Sequence, residues 1–573
     1  MLLSKIKSIL KELLTFGEIT AGSSEEKEVV SFIKSRLEEH VSEVRIQEVP
    51  VMNWREKYSI VEGSNIKVKS TTLPYSLTFD EESTLIHITH IRDKKWREAC
   101  EKIVLVQIPP EDVDFVEDYY VKAVEVGAAG LIAYDSYPGV YRRIVVTGVK
   151  NYRWGCGEMP PPIPAVMIRR EDGFKLAKRE DEKIRVLVEA EVNNSTGYNI
   201  EGAIYGRSDE EVLLTAHHDH WLTGAADNCL GVSFLIAAAE QLKDSSFKRT
   251  VKFVSFTAEE AGAPCFSSYY WTWGSRYYVE SLKSKSLLSK VYAVVNIDVL
   301  ARGEVRLSAS GPDYVYFVEK LSGLKADYDS SYMDSYTFSS RGVPALTVHT
   351  LDEYMQYYHT DKDLPENIDW STVEKGVSIT LKTLVELAKG AELDYSKWMS
   401  VIENTAKKLN VPLAADLKKA TKEFSRSLLE TTIYAYDEHY PDERPAFLKT
   451  HFLPELRVLE DFSKLREAYS MLKKGYLDKC LEIVSSIPLR IKLGSGETLL
   501  SLNTKYLFYC LEKKRVSTAL KLLENILSLE KEYKAELKKL FLRKIEEARM
   551  KAQYTEMCRF SSLLSYSFYF LNI

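Results

Sequence analysis

Histidine and carboxylate side chains that could hold metal ions concentrate in two short stretches, LLTAHHDHWLTGAADN at residues 213–228 and FTAEE at residues 256–260. Further candidates lie in VVNIDVL and in YYHT, later in the chain. Imidazole nitrogen and carboxylate oxygen are ligands of catalytic zinc, which keeps one coordination position open for water. The side chains concerned are His217, Asp219, Asp227, Glu259, Glu260, Asp298 and His359.

This set of side chains could serve a two-metal hydrolytic site. Two metals about 3.5–4 Å apart need a group that bridges them, and an aspartate carboxylate can do so. Of the adjacent Glu259 and Glu260, one can bind a metal while the other stays free to move a proton. A Glu-Glu pair on a surface is usually just solvated. This pair follows an apolar strand that is expected to be buried, where charged side chains are unusual unless they have a function. The sequence therefore predicts a hydrolytic metal centre.

The elements that must position these side chains follow an alternating pattern from about residue 191. Continuous apolar segments such as EVLLTAH, RTVKFVSFTA, VYAVVNIDVL and PALTVHTL read as strands, and GVSFLIAAAEQL and VEKGVSITLKTLVELAK read as helices. Buried strands alternating with helices are typical of an α/β fold with a mixed, mainly parallel sheet flanked by helices. Ligands bind beyond the carboxyl ends of such strands, where every candidate lies.

The rest of the chain shows other patterns of predicted helices and strands than this α/β part. Residues 1–54 read as helices and a strand, and residues 55–190 as short strands and turns. Beyond about residue 395 the pattern is almost entirely helical and has no fixed repeat, which favours a helical bundle.

Composition narrows the class of protein. The 573 residues are too many for one core, and 45% hydrophobic with 28% charged residues is typical of a soluble globular protein. A formal net charge of -6 argues against nucleic acid or an anionic membrane as partner. The N-terminus reads as an amphipathic helix rather than a signal peptide. The 7 cysteines are scattered, which favours a reducing compartment, so we expect a cytoplasmic protein.

The motifs resemble the co-catalytic zinc aminopeptidases of peptidase family M28. Members include aminopeptidase Y, glutamate carboxypeptidase-like enzymes and the non-catalytic transferrin receptor. The family pattern is His-x-Asp, Gly-Ala-x-Asp-Asn, Glu-Glu, Asp and His-Thr. The matching segments here are His217-His218-Asp219, Gly224-Ala225-Ala226-Asp227-Asn228, Glu259-Glu260, Asp298 and Tyr358-His359-Thr360.

The resemblance implies the metal ligands. One metal would be held by His217, Asp227 and Asp298, and the second by Glu260 and His359, with Asp227 bridging. The cofactors implied are two divalent ions, zinc first, with cobalt and manganese as alternatives.

The resemblance also implies roles for residues beside the metals. Glu259 would be the general base that activates the attacking water. Asp219 would orient His217, a common way of fixing an imidazole tautomer. Tyr358 would donate a hydrogen bond to the developing oxyanion.

The similarity extends beyond these motifs. The segment MDSYTFSSRGVPAL resembles a family segment, and residues 55–190 are similar to a protease-associated (PA) domain through AVEVGAAGLIAYD and IPAVMIRREDG. The implied domains are residues 1–54 and 191–395 for the catalytic domain, 55–190 for the insert and 396–573 for an α-helical domain. Because the insert splits the catalytic domain, residues 1–54 should pack back onto the sheet.

The spacing HxDxW, with Trp221 between two ligands, resembles the glutamate carboxypeptidase and transferrin-receptor branch, whose C-terminal helices dimerise. A homo-oligomer formed through the C-terminal helices is therefore expected. Two positions depart from the family pattern: His220 replaces a serine and Ser335 a histidine. We expect His220 at the rim of the site. The aromatic segment AGAPCFSSYYWTWGSRYY either forms a wall of the substrate pocket or packs under the insert.

The function predicted is that of a metal-dependent exopeptidase, most simply an aminopeptidase that releases N-terminal residues from peptides. A carboxypeptidase or dipeptidase is the first alternative, and it would need a cation for the substrate carboxylate, for which Arg276, Arg302 and Arg341 are available. A single-metal cyclase of the same fold is disfavoured because both ligand sets are present. A catalytically inactive, receptor-like scaffold is the second alternative, although such a protein would be expected to have lost ligands.

Overall fold

The computed structural model describes residues 2–110, 112–146, 160–266, 270–413, 420–431, 435–439, 444–447, 452–493, 497–498 and 500–570. The chain divides into two compact units. The first comprises Met1–Leu307, Tyr332–Thr337 and Leu346–Ala391. The second comprises Ser308–Ser331, Phe338–Ala345 and Glu392–Ile573.

The strands of the described residues, in chain order, are β1 (Glu43–Gly63), β2 (Ile66–Lys69), β3 (Thr71–Thr72), β4 (Phe79–Ile88), β5 (Ile103–Gln107), β6 (Gly130–Tyr134), β7 (Ala165–Ile168), β8 (Lys183–Ile204), β9 (Glu211–His217), β10 (Thr250–Phe256), β11 (Val291–Ile297), β12 (Arg306–Ala309), β13 (Asp327–Tyr328), β14 (Ala345–His349), β15 (Ala435–His439), β16 (Arg444–Phe447), β17 (Pro488–Leu493) and β18 (Glu497–Thr498).

The α-helices of the same residues are α1 (Leu2–Leu13), α2 (Ser24–Glu38), α3 (Val116–Glu125), α4 (Arg170–Ala177), α5 (Leu230–Leu242), α6 (Trp273–Ser284), α7 (Gly311–Ser322), α8 (Asp334–Ser339), α9 (Leu351–Tyr354), α10 (Trp370–Lys389), α11 (Ser396–Leu409), α12 (Lys422–Thr431), α13 (Arg457–Lys473), α14 (Leu477–Ser485), α15 (Lys505–Glu512), α16 (Val516–Ser528) and α17 (Glu530–Phe570).

The first unit is built on a large, mostly parallel sheet, which confirms the predicted fold class. Its strands follow the order β14-β11-β9-β10-β8-β4-β5-β6-β7-β3. Strands β10 and β11 both pair in parallel with β9, and every residue of β10 and β11 is buried. Helices α5 and α10 pack against this part of the sheet. Continuous burial explains why these strands read as unbroken apolar runs rather than as alternating patterns.

A long antiparallel ribbon joins the predicted insert to the peptidase part of the sheet. Strand β1 pairs with β8 from Glu43↔Ala203 to Gly63↔Ile184, so the strands here are much longer than the short ones expected. Strand β1 contains Pro50, but on its other edge β1 pairs with β2 only from Ile60 onward, so the missing N–H of the proline costs no ladder bond. The boundaries expected at about 55 and 190 lie inside this continuous ribbon.

The N-terminal residues pack onto the same unit. Helix α1 contacts α5, and α2 contacts β8. The side chain of Ser23 caps α2 by accepting a hydrogen bond from the Glu26 N–H at 3.0 Å. The insert itself adds the parallel strands β4 to β7 with α3 and α4. Its resemblance to a PA domain stays a prediction.

The second unit corrects the expectation of an almost entirely helical C-terminal region. Strands β15 to β18 form a four-stranded sheet beside helices α11 to α17. These strands are short and carry many charged residues, which is why no strand period was recognised in them. The helices share a buried core that includes Trp398, Phe462, Leu465 and Phe541. No helix within the described residues is long and apolar enough to cross a membrane.

Asp313 in the second unit provides a test of stability that does not involve the metal centre. Its carboxylate accepts a hydrogen bond from the Tyr314 N–H, yet burial raises its pKa to about 7. The folded chain therefore keeps a proton that the unfolded chain releases near pH ~3.9, and this contribution to stability is lost as the pH rises from about 4 to 7.

The variant Asp313→Asn has no such proton to lose. Across that window we expect the variant to gain stability relative to the wild type, by up to about 1.4 kcal/mol per pH unit. Denaturation of the full chain at pH 5 and pH 8 measures the difference. Parallel pH dependence of the two proteins would contradict the assignment.

Candidate metal centre

The sheet brings the predicted ligands to one edge. His217 is the last residue of β9, Asp298 directly follows β11, and Glu260 lies in the loop after β10. Asp227 lies in the tight turn that leads into α5, and His359 lies in the loop beyond β14 and α9. Parallel strands place their carboxyl ends together, so residues far apart in the sequence meet here.

The ligand atoms form two overlapping groups, His217 with Asp227 and Asp298, and Asp227 with Glu260 and His359. Within each group these atoms lie within 4.8 Å of one another. His217 Nε2 is 3.2 Å from Asp298 Oδ1 and 3.4 Å from Asp227 Oδ1. His359 Nε2 is 2.8 Å from Glu260 Oε2 and 3.5 Å from Asp227 Oδ2. The two oxygens of Asp227 thus face different histidines, as a bridging carboxylate requires.

The charge of the site fits divalent cations. Burial raises the pKa of Glu259 and of Glu260 well above its usual range, and neighbouring carboxylates raise both further. Asp227 Oδ2 and Glu260 Oε1 are buried and accept no hydrogen bond. Buried carboxylates with open lone pairs need cations nearby, and divalent ions would supply that charge.

The two histidines are oriented by backbone carbonyls. His217 Nδ1 donates to the carbonyl oxygen of Asp219 at 3.0 Å, and His359 Nδ1 donates to that of Arg143 at 3.1 Å. Each Nε2 is therefore directed at the carboxylates. Burial alone lowers the pKa of His217, but the carboxylates of Asp298 and Glu259 outweigh it and raise that pKa well above its usual value. These contacts leave Nε2 as the metal-facing nitrogen.

Glu259 differs from its neighbour Glu260 in its surroundings. It belongs to neither ligand group, although its Oε2 lies 4.0 Å from His217 Nε2. It is buried at the same edge of the sheet. A carboxylate beside the metal position but outside the ligand groups is suited to accept and return a proton.

Asp219 contacts more of the site than was predicted. Its backbone carbonyl, rather than its carboxylate, receives the short hydrogen bond from His217; Oδ1 lies 3.8 Å from Nδ1. The carboxylate accepts the N–H groups of Glu259 and Glu260, each at 3.0 Å. Asp219 therefore connects the loop after β9 to the loop after β10.

Asp363 holds the bridging residue in the same way, and the sequence analysis missed it. Its carboxylate accepts the N–H of Ala226 at 2.8 Å and of Asp227 at 3.0 Å. The Tyr354 hydroxyl donates to it at 2.7 Å. Burial raises the pKa of Asp363 to about 7, although these hydrogen bonds favour the charged form. The signal was an acidic residue just past the His-Thr motif, in YYHTDKD.

A second unpredicted contact involves the histidine next to the first ligand. His218 Nδ1 lies 2.9 Å from Ser255 Oγ, and its Nε2 lies 3.3 Å from Glu26 Oε1. Glu26 comes from α2, so this helix contacts the loop that follows His217. The reading of His220 as a rim residue is wrong: its side chain is 1% exposed, because it packs against Gly224 at φ +59°.

One aromatic ring stacks on a member of the second ligand group, and three others contact one another in the aromatic segment and beside it. The Tyr358 ring stacks on the His359 ring with centroids 3.7 Å apart. Trp271 stacks on Tyr332 at 6.4 Å, and Tyr270 meets Trp271 edge-on at 5.1 Å. Residues 267–269 of the aromatic segment lie outside the described residues. Its other end packs within the unit, because Tyr278 meets the buried Phe256 ring.

The sheet and the paired histidine–carboxylate groups at its carboxyl edge are the arrangement that the motifs predicted for a metal-binding α/β domain. Residues 199–384 match the model of peptidase family M28. The chain thus carries a peptidase domain of family M28, as the motifs predicted.

Curated relatives include active enzymes and one inactive protein. Aminopeptidase YwaD of Bacillus subtilis is 24% identical over 47% of this chain and 60% of its own length. An inactive zinc metalloprotease of Schizosaccharomyces pombe is 26% identical over 51% of this chain and 39% of its own. Carboxypeptidase Q of Xenopus laevis is 25% identical over 45% of this chain and 59% of its own length. The chain spans less than two thirds of each of these relatives.

Solved structures share the fold of about two thirds of this chain. The zinc aminopeptidase BSAP from Bacillus subtilis has a TM-score of 0.55 and 20% identity, and the match covers 68% of this chain and 96% of that one. At this identity the likeness concerns the fold.

Replacing the first histidine tests the ligand assignment. We expect His217→Ala to lose one of two bound metals, because Asp298 and Asp227 alone leave that position without its nitrogen ligand. Elemental analysis of metal per chain after dialysis measures this. The exposed His90→Ala is the matched control and should keep both. Unchanged metal content in His217→Ala would refute the assignment.

Proposed function

We propose that this protein is an aminopeptidase that uses two divalent ions, zinc first, to release N-terminal residues from peptides. The observation that carries the proposal is the arrangement of Asp227, whose two oxygens face His217 and His359, with Glu259 beside them and outside both ligand groups. This arrangement provides separate positions for metal binding and for proton transfer.

In the proposed mechanism, the bound ions would polarise the scissile carbonyl and make water more acidic. Glu259 accepts the proton of the attacking water and passes it to the leaving amine. Tyr358 donates a hydrogen bond to the oxygen on which charge develops. Asp219 holds the backbone of Glu259, so the base keeps its position during the reaction.

The charges beside the second ligand group favour a substrate amine over a carboxylate. Burial raises the pKa of Tyr270 and of Tyr358 well above the usual value, and the carboxylates of Glu117 and Asp114 raise that of Tyr270 further. Asp114 acts on Tyr358 in the same direction. Carboxylates and aromatic faces both attract an ammonium group.

The arginines available to a carboxypeptidase have other contacts. Arg276 donates to the Trp271 carbonyl at 2.9 Å, and the Arg302 guanidinium lies over the ring of Tyr357. Arg341 is exposed and belongs to the second unit. A carboxypeptidase remains the second candidate because Carboxypeptidase Q is among the relatives.

We also propose a cytoplasmic protein that acts on peptides, without nucleic acid or membrane as partner, and that forms a homo-oligomer through its C-terminal helices. The net charge of -6 supports the absence of nucleic acid and of an anionic membrane as partners. Exposed Met550, Tyr554 and Met557 on α17 support the second, because they recur at helical spacing on one face.

Removing the proposed base separates catalysis from metal binding. Glu259→Gln keeps the shape of the side chain and lies outside both ligand groups. We expect two metals per chain and a loss of roughly two to four orders of magnitude in kcat. Steady-state kinetics together with elemental analysis measure both. Turnover close to that of the wild type would exclude Glu259 as the base.

A panel of peptides distinguishes the two exopeptidase candidates. Peptides with free and with acetylated amino termini, each with free and amidated carboxyl termini, are incubated with the metal-loaded enzyme and analysed by mass spectrometry. An aminopeptidase cleaves only those with a free amine, whatever the carboxyl end. Cleavage of acetylated peptides at a free carboxyl end would establish the carboxypeptidase. No cleavage with any divalent ion would favour the inactive scaffold.

A further inference from the structure

A fully buried arginine of the insert contacts the loop that carries His359. The Arg142 side chain is 0% exposed and its Nε donates to Asp135 Oδ2 at 2.6 Å. Its two terminal nitrogens donate to the backbone carbonyls of Tyr358 and Met355, the latter at 3.0 Å. One guanidinium therefore ties the insert to the residue next to a proposed metal ligand.

The backbone beside Arg142 is paired with the same loop. The N–H of Arg143 donates to the His359 carbonyl at 3.0 Å, and the carbonyl of Arg143 accepts from His359 Nδ1 at 3.1 Å. Arg142 and Thr360 form an antiparallel bridge. Next along, the Tyr141 N–H donates to Asp361 Oδ1 at 2.8 Å. Residues 141–143 thus act as a short strand laid along the ligand loop.

His359 needs such support because of its conformation. Its φ is +57°, a left-handed backbone that residues other than glycine adopt at a cost. Such a conformation persists only where the surroundings hold it. The described contacts that hold it come largely from residues 141–143, which the sequence analysis assigned to the insert and not to the site.

We propose that Arg142, through its buried pair with Asp135, is a positioning residue for the second metal position, the one formed by Asp227, Glu260 and His359. The insert is then part of the metal centre rather than a separable lid at this contact. Loss of the guanidinium frees the Tyr358 and Met355 carbonyls, lets the loop relax from the left-handed turn and moves His359 Nε2 away from Glu260. The inference rests on the two-metal centre and not on the choice of substrate.

A matched control lies at the opposite end of the same sheet. The Arg249 side chain is also 0% exposed; it pairs with Glu210 at 2.8 Å and donates to the carbonyls of Leu387 and Ala391. Arg249 precedes β10, whereas the metal centre follows that strand. Arg249→Met therefore removes the same kind of contact at a distance from the site.

The test is a metal titration of the full chain, with Co²⁺ as the probe because its absorption reports coordination. Metal-free wild type, Arg142→Met, Arg142→Lys, Asp135→Asn and Arg249→Met are compared. Contacts that orient a ligand typically change metal affinity by about 10–100-fold. We expect Arg142→Met to weaken one of two binding steps by about that factor, Arg142→Lys and Asp135→Asn to weaken it less, and Arg249→Met to leave both unchanged.

Single-site backgrounds assign the effect. His217→Ala leaves the second position, and His359→Ala leaves the first. Adding Arg142→Met should weaken Co²⁺ binding in the His217→Ala background, which keeps the second position. It should not weaken binding in the His359→Ala background. Equal weakening in both backgrounds, or the same weakening by Arg249→Met, would mean a general loss of structure and would overturn the inference.

The outcomes also separate this inference from the proposed function. Two wild-type binding steps that Arg142→Met leaves unchanged would refute the positioning role alone. A wild type without any Co²⁺ binding would refute the metal centre and the inference with it. Should Arg142→Met fail to fold, Asp135→Asn carries the test, because it preserves the side-chain volume and weakens only the ion pair.

Discussion

The constraint on which the rest of the first unit depends is the concentration of buried negative charge around Asp227. Its carboxylate lies between His217 and His359, and Glu260 and Asp298 lie within a few ångströms. In a buried site these charges repel one another strongly, and only cations and aligned donors can offset them. Divalent ions bound here would offset this charge.

Hydrogen bonds to backbone N–H and carbonyl groups hold this arrangement in place. The Asp363 carboxylate accepts two backbone N–H groups at Asp227 and the residue before it. The Asp219 carboxylate accepts those of Glu259 and Glu260. The carbonyls of Asp219 and Arg143 orient the two histidines. Ligands whose backbone is fixed in this way keep their geometry better than ligands on mobile segments, which suits a metal site.

The candidate site is supported by residues of the N-terminal segment and of the insert as well as by the peptidase part of the sheet. The ribbon of β1 and β8 continues from the peptidase part of the sheet into the insert without interruption. Glu26 of α2 reaches His218, and Arg142 of the insert reaches the loop of His359. A change in the insert or near the N-terminus can therefore alter the metal centre.

The sequence by itself determined the strands β9, β10, β11 and β14 and the candidate ligands at or after their ends, since buried parallel strands read as apolar runs and metal ligands have few possible side-chain types. Only the tertiary structure decided the rest. Asp363 and Arg142 resemble any other charged residue in the sequence, and the burial of His220 depends on packing against Gly224. The strands of the C-terminal unit were missed because they are short and rich in charged residues, which hides the period of two. Local periodicity reports which face of an element is buried, but contacts between distant segments leave no period in the sequence.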